Sequence, residues 1–159
     1  MKSPLVLLLA VALSSPLAAL AAADAHDHGA SAPHKLELNA GKKWGTDDAL
    51  RQAMSTIHTS VSQVLPLAHA GKATAADYDA FAKTATEQVA YMVENCKLDP
   101  KADAQLHIIV ADILSGAEAA EGKQGEKKRA SGVVKVAQAA NAYGKHFDHT
   151  GWKAIKLPH

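Results

Sequence analysis

The sequence has few of the residues that build β-sheets or disulfide frameworks. Only 4% of its 159 residues are aromatic, and Cys96 is the single cysteine. One thiol excludes an intramolecular disulfide. Because strand-forming residues are scarce and alanine is abundant, the composition favours an all-α fold.

Long apolar runs are also missing, except near the N-terminus. Lys2 precedes the apolar stretch LVLLLAVAL, and an alanine-rich stretch with several A-x-A cleavage motifs follows it. This pattern predicts a signal peptide over residues 1–23, since the apolar stretch is too short to span a bilayer. We therefore expect an exported, periplasmic protein. In that oxidising compartment the lone Cys96 would be buried, dimer-forming or bound to something soft.

The predicted mature chain has no excess of either charge. Loss of Lys2 leaves 16 basic and 16 acidic residues, which gives no electrostatic case for binding nucleic acid or an anionic membrane. The sequence also has no signature of a nucleophile with its base, no phosphate-binding loop and no paired catalytic carboxylates. We therefore expect that the protein is not an enzyme.

Four segments have the periodicity of amphipathic helices. The predicted helices span residues 47–70, 75–96, 100–121 and 127–149. Thr46, Thr74 and Asp99 are the expected N-caps of the first three, and Pro100 suits the first position of the third. Helices of similar length with short connections predict an antiparallel up-down-up-down four-helix bundle.

The predicted bundle covers residues 45–152. A flexible, His-containing arm over residues 24–44 precedes it, and a tail over residues 153–159 follows it. The arm has no clear periodicity, and it carries His26 and His28 in the stretch AHDHG. It enters the bundle at the end where the first helix starts.

That same end of the bundle collects side chains that bind soft metals. In such a bundle, helices one and three start at this end, and helices two and four stop at it. The candidate ligands that lie there are Met54, Met92, Cys96, His107, His146 and His149. Met92 and Cys96 are four residues apart, so they share a helical face, and the same argument pairs His146 with His149.

Thioether, thiolate and imidazole together favour Cu(I), while imidazole with thiolate also suits Zn(II). The sequence therefore predicts a tighter site at the bundle end and a weaker site on His26 and His28. The structural alternatives are core-filling roles for the methionines and for Cys96. His107 would then be a half-buried, hydrogen-bonded histidine, and the last histidines would be solvated.

Three segments resemble the periplasmic cytochrome b562 family: DALRQAMSTI, ADILSGAEAA and ANAYGKHF. The resemblance implies a four-helix bundle whose non-covalent haem b is ligated by a methionine early in helix one and a histidine late in helix four. Met54 matches that methionine, but Gly144 stands at the histidine position. His146 lies about 200° further round the helix. The chain has no C-x-x-C-H motif for covalent haem attachment.

The sequence thus predicts a periplasmic metal-binding protein, for copper first and zinc second, that buffers the ion or delivers it to a periplasmic metal-handling protein. The second hypothesis is electron transfer through haem b, with Met54 and either His107 or His146 as ligands. The third hypothesis is a metal-free periplasmic adaptor or chaperone-like bundle.

Overall fold

A computed structural model describes residues 35–157, so the predicted signal peptide and the histidines His26 and His28 lie outside the described part. The described residues form four α-helices and no β-sheet, which confirms the all-α prediction. The helices are α1 (Asp48–His69), α2 (Ala75–Asn95), α3 (Pro100–Ala120) and α4 (Arg129–His146), and a short 3-10 turn, Glu126–Lys128, leads into α4. No helix between residues 35 and 157 has the length and apolar character to cross a membrane.

The starts of α2 and α3 are fixed by the predicted caps. Thr74 and Asp77 cap α2 reciprocally: the Thr74 N–H donates to the Asp77 carboxylate at 2.8 Å, and the Asp77 N–H donates to Thr74 Oγ1 at 3.2 Å. At α3 the Asp99 carboxylate accepts the N–H of Lys101 at 2.9 Å. These local bonds satisfy backbone donors that have no partner within the helix.

The start of α1 differs from the prediction by one residue. Asp47, not Thr46, is the N-cap, because its carboxylate accepts the Leu50 N–H at 2.7 Å. The Thr46 hydroxyl instead donates to the Asp148 carbonyl at 2.7 Å, a bond to the segment that follows α4. Because the Thr46 hydroxyl bonds a residue distant in sequence, it does not cap α1 as predicted.

The end of α4 also differs from the prediction. The helix stops at His146, and the backbone is extended at Phe147. The Trp44 N–H donates to the His146 carbonyl at 2.8 Å, and the Asp148 N–H donates to the Trp44 carbonyl at 2.8 Å. Because this pairing draws the chain out of the helix, the prediction that His149 lies on helix four, on the same face as His146, is wrong.

The core lies between the four helices. Each helix packs on its neighbour in sequence, and α4 packs back on α1. This arrangement is a four-helix bundle, and within the described part of the chain no polar or charged residue is fully buried. The largest fully buried side chains are Leu50, Met54, Ile57, Val61, Met92, Ile109, Ile113, Val133, Val136, Tyr143 and Phe147.

The described part of the predicted arm packs on the bundle. Leu36 lies against the core, and Trp44 is only 8% exposed. The Glu37 N–H donates to Gln105 Oε1 at 2.7 Å, and the Glu37 carbonyl accepts the indole N–H of Trp44 at 2.7 Å. Bundle contacts therefore begin well before residue 45, the predicted boundary, because Leu36 and Trp44 give this segment an apolar face.

Two glycines let α3 and α4 approach closely. A Cβ added to Gly116 would lie 2.8 Å from the carbonyl oxygen of Gly132 and 2.7 Å from Cγ2 of Val136. A Cβ added to Gly132 would overlap the backbone of Gly116 and Ala120. Since backbone atoms cannot turn aside as a flexible side chain can, glycine is required at the contact.

We expect Gly132→Ala to lower the free energy of unfolding by about 2 kcal/mol, because the overlap with α3 outweighs the helix propensity that alanine adds. Urea unfolding followed by circular dichroism measures the change. Ser131→Ala is the control, since Ser131 is exposed on the same turn, and its effect should stay within about 0.5 kcal/mol. A Gly132→Ala protein as stable as wild type would contradict the close approach.

Candidate functional site

One cleft brings together three of the predicted metal ligands. It lies between the end of α2 and the start of α3, has a volume of about 450 Å³, and is lined by Met92, Cys96 and His107 together with Asp103. We call it the soft-ligand cleft. The other residues that line it are Val93, Lys97, Leu98, Pro100, Leu106 and Val110.

The last turn of α2 supplies the two sulfur atoms. Cys96 is the C-cap, and its N–H donates to the Met92 carbonyl at 2.9 Å, so the two residues stand one turn apart on the same face. Met92 is 2% exposed, whereas Cys96 is half-buried. The thioether therefore lies on the core side of the cleft, and the thiol lies closer to solvent.

The first turns of α3 supply the imidazole. Nδ1 of His107 lies 2.9 Å from the Asp103 carbonyl oxygen and 3.4 Å from its carboxylate. A hydrogen on Nδ1 that donates to this carbonyl leaves Nε2 with a free lone pair, the arrangement usual for metal-binding histidines. The His107 side chain is 68% exposed, so an incoming ion can reach it.

The Cys96 thiol is protonated at neutral pH. Burial raises the pKa of Cys96 to about 11, and the charges of Asp47 and Asp103 and a hydrogen bond with Asp47 add to the effect. A metal ion that binds the sulfur must therefore displace a proton. The negative charges of Asp47 and Asp103 disfavour the thiolate, and the same charges favour a bound cation.

The remaining predicted ligands in the described part lie away from this cleft. Met54 is fully buried in the core side of α1 and does not line the cleft. His146, whose Nδ1 lies 2.8 Å from the Ala142 carbonyl, lines a different cleft of about 480 Å³ together with Trp152. The ligands predicted to form a single site at the bundle end therefore lie in different places: in the soft-ligand cleft, in the core and in a second cleft.

An aromatic cluster surrounds the last predicted ligand, His149. We define it as His58, Tyr143, Phe147, His149 and Trp152. The Trp152 ring centroid lies 5.0 Å from the centroids of His58 and His149 and 4.9 Å from that of Tyr143. These are edge-on or tilted contacts, the geometry that aromatic rings favour.

Hydrogen bonds fix His149 in this cluster. Its Nδ1 lies 2.9 Å from the Tyr143 hydroxyl, and its Nε2 lies 3.5 Å from the Ser55 hydroxyl. Burial lowers the pKa of His149, and the positive charges of Arg51 and His58 lower it further. Both ring nitrogens thus have protein partners, and burial disfavours protonation of the imidazole.

The sequence gives weak signals for this cluster. Its members other than His58 come from the aromatic stretch YGKHFDHTGW, in which Gly144 lies inside α4. His58 lies 85 positions earlier than Tyr143 and carries no local sign of its role. The density of aromatic residues near the C-terminus is therefore the one signal that could have led to it.

The residues of this chain do not fit the haem ligation that the resemblance implies. Gly144 has no side chain to ligate iron, and the indole ring of Trp152 packs directly on it, so that even a Cβ there would overlap the ring. His146 lines the cleft of about 480 Å³, to which Met54, the methionine of the implied ligand pair, does not contribute. The indole of Trp152 thus fills the space beside Gly144.

Between residues 35 and 157, no three histidine, cysteine or acidic side chains are arranged to hold a metal ion. The soft-ligand cleft differs from such a site because one of its donors is the thioether of Met92. Comparisons with protein-family models, curated proteins and solved structures found no match. The chemistry of the described residues is therefore the basis on which a function can be assigned.

We expect the protein to lose stability when the pH falls from about 7.5 to about 5.5. Because the folded-state pKa of His149 is lowered, the unfolded chain takes up a proton first, at a pKa of about 6.5. Stability from this histidine is complete above that value and falls below it until the folded-state pKa is passed.

Urea unfolding at both pH values measures this loss. It should be smaller in His149→Gln, which removes the titrating group. His69→Gln, a change at an exposed histidine in the last turn of α1, is the matched control and should behave as wild type. An equal loss in His149→Gln and wild type would show that another group causes it.

Proposed function

We propose that the protein binds Cu(I) in the soft-ligand cleft and buffers or delivers it in the periplasm, after export directed by residues 1–23. The observation that carries this proposal is the convergence of Met92, Cys96 and His107 on one cleft. Thioether, thiolate and imidazole donors together favour Cu(I). Zn(II) is the second candidate, because thiolate and imidazole also suit it.

The electrostatics of the cleft support a cation as the ligand. Asp103 lines the cleft, and Asp47 lies close enough to Cys96 to act on its thiol. Once the thiol proton is displaced, Cu(I) and the thiolate form a neutral pair. The nearby carboxylates then stabilise any positive charge that remains on the metal.

The rim of the cleft supports delivery to a partner. The imidazole of His107 is 68% exposed, so a metal held there can be reached from outside. Val93 is an apolar rim residue that is 71% exposed. An accessible ligand at the rim suits transfer of the metal to a periplasmic metal-handling protein.

We also propose that the helices run alternately up and down. The Lys97 N–H, just after α2, donates to the carboxylate of Asp47, just before α1, at 2.6 Å. Arg129, the first residue of α4, bonds the carboxylate of Asp79, near the start of α2, at 2.7 Å. Both contacts support antiparallel neighbours, with the soft-ligand cleft at the end where α2 stops.

In this proposal, His26 and His28 form a second, weaker site in the part of the chain outside the described residues. Two imidazoles accept Cu(II) or Zn(II). Their affinity should fall below about pH 6.5, where protons compete with the metal. The two sites are expected to differ in affinity because the helices hold the cleft ligands before the ion arrives.

A metal-free adaptor is the main alternative, since the soft-ligand cleft would also accept an apolar side chain of a partner. Elemental analysis of the protein purified from the periplasm separates the two functions. About one copper per chain supports metal handling, and metal-free protein that fails to bind added Cu(I) supports the adaptor.

We expect the double variant Cys96→Ala/His107→Gln to bind Cu(I) about 100-fold more weakly than the parent, because it loses two of three donors. Met92→Leu keeps the core volume and should lose about tenfold. Competition against a colorimetric Cu(I) chelator measures each affinity. All variants carry His26→Gln and His28→Gln, so that the arm does not mask the result.

Met54→Leu is the matched control, because it makes the same exchange at a buried methionine outside the cleft. It should bind Cu(I) as the parent does. If the double variant binds as tightly as the parent, the soft-ligand cleft is not the copper site.

The affinity for Cu(I) should rise by about tenfold per pH unit between about pH 7 and about pH 9, because binding must displace the proton of Cys96. The pKa of about 11 places this whole range below the titration of the free thiol. The same chelator competition at each pH measures the slope. Cys96→Met offers a sulfur donor that carries no proton, so this variant should lose the pH dependence of the affinity. A pH dependence that persists in the variant would show that Cys96 does not bind the metal.

A further inference from the structure

The chain after α4 folds back over the groove between α1 and α4. We call residues 148–157 the strap. Asn141 of α4 holds it by two hydrogen bonds: its Nδ2 donates to the Ile155 carbonyl at 2.9 Å, and its Oδ1 accepts the Ile155 N–H at 2.7 Å. From α1, Nε2 of His58 lies 2.9 Å from the Lys153 carbonyl. Both helices therefore contribute to strap docking.

The strap packs on the core through Ile155, which is 8% exposed, and through Trp152. The indole of Trp152 packs on Gly144, where any side chain would overlap its Cδ1 and Nε1 atoms. Its ring also contacts Tyr143 from α4 and His58 from α1. A glycine inside a helix lowers helix propensity, and here the missing side chain makes the space for the tryptophan.

Docking of the strap also carries unfavourable terms. The indole N–H of Trp152 is buried with no hydrogen-bond partner in the described part of the chain, so its desolvation is uncompensated. Thr150, Gly151, Lys153 and Lys156 are exposed and contribute little burial. Ile155 is buried, and Trp152 and Leu157 pack partly against the core. Because the other strap residues contribute little burial and one buried donor is unsatisfied, we expect the strap to open more easily than the helices beneath it.

We propose that the strap is a detachable lid over the groove between α1 and α4, which fills the place beside Gly144 and opens while the four helices stay folded. Opening removes His149 from the buried Tyr143 hydroxyl and admits solvent to that hydroxyl. The proposal is independent of the copper site, which is formed by α2 and α3.

Hydrogen exchange of the full-length mature protein tests the lid directly. The Trp152 amide, bonded to the His149 carbonyl at 3.0 Å, and the Ile155 amide report on the strap. The Phe147 amide, bonded to the Tyr143 carbonyl, reports on the end of α4. We expect the strap amides to exchange about 100-fold faster than amides in the middle of α4. Equal exchange in the strap and the middle of α4 would overturn the proposal.

Limited trypsin cleavage after Lys153 gives a second measure of opening. Gly144→Ala introduces the overlap with Trp152, so cleavage there should be about tenfold faster than in wild type, with unchanged helix content. Gly45→Ala is the matched control, because a Cβ at Gly45 meets no atom within 4 Å. Unchanged cleavage in a folded Gly144→Ala protein would overturn the proposal, and if that variant unfolds, exchange in the wild type decides.

Discussion

The backbone pairing of Trp44 with the residues on either side of Phe147 determines the course of the chain before α1 and after α4. The Trp44 N–H donates to the His146 carbonyl, and the Trp44 carbonyl accepts the Asp148 N–H. Because this pairing holds the backbone extended at Phe147, α4 ends at His146. The extended backbone at Phe147 directs the next residues away from the axis of α4. The same pairing holds the segment before α1 on the bundle. Both the docking of the strap and the position of His149 depend on this one short contact.

The sequence predicts the helices well where the signals are local. Thr74, Asp99 and Pro100 act within one turn, and the structure has α2 and α3 within one residue of the predicted bounds. The end of α4 could not be predicted in this way, because its partner Trp44 is about a hundred positions earlier. A helix that is ended by tertiary pairing carries no sign of it in its own periodicity.

The sequence predicts how far along the bundle each candidate ligand lies. It does not predict in which direction around its helix each side chain points. Residue counts place Met54, Met92, Cys96 and His107 near one end of the bundle, since each residue adds a fixed rise. Which of them face the same cleft depends on how each helix is rotated against its neighbours. Met54 is directed to the core, whereas Met92, Cys96 and His107 line one cleft. A one-residue difference in spacing turns a side chain by about 100°, so proximity along the axis does not make a shared site.

Tyr143 lies between the proposed copper site and the strap, and it limits how the two can influence each other. Burial raises its pKa, Arg51 opposes this effect, and the charges of Cys96 and Asp47 add to it. Its hydroxyl bonds His149 on the side of the strap. A bare thiolate at Cys96 would thus disturb the charge around this hydroxyl. Cu(I) bound to that thiolate cancels the charge, so filling the cleft leaves the field at Tyr143 nearly unchanged. The proposed metal binding on α2 and α3 and the proposed opening of the strap on α1 and α4 are therefore expected to occur independently.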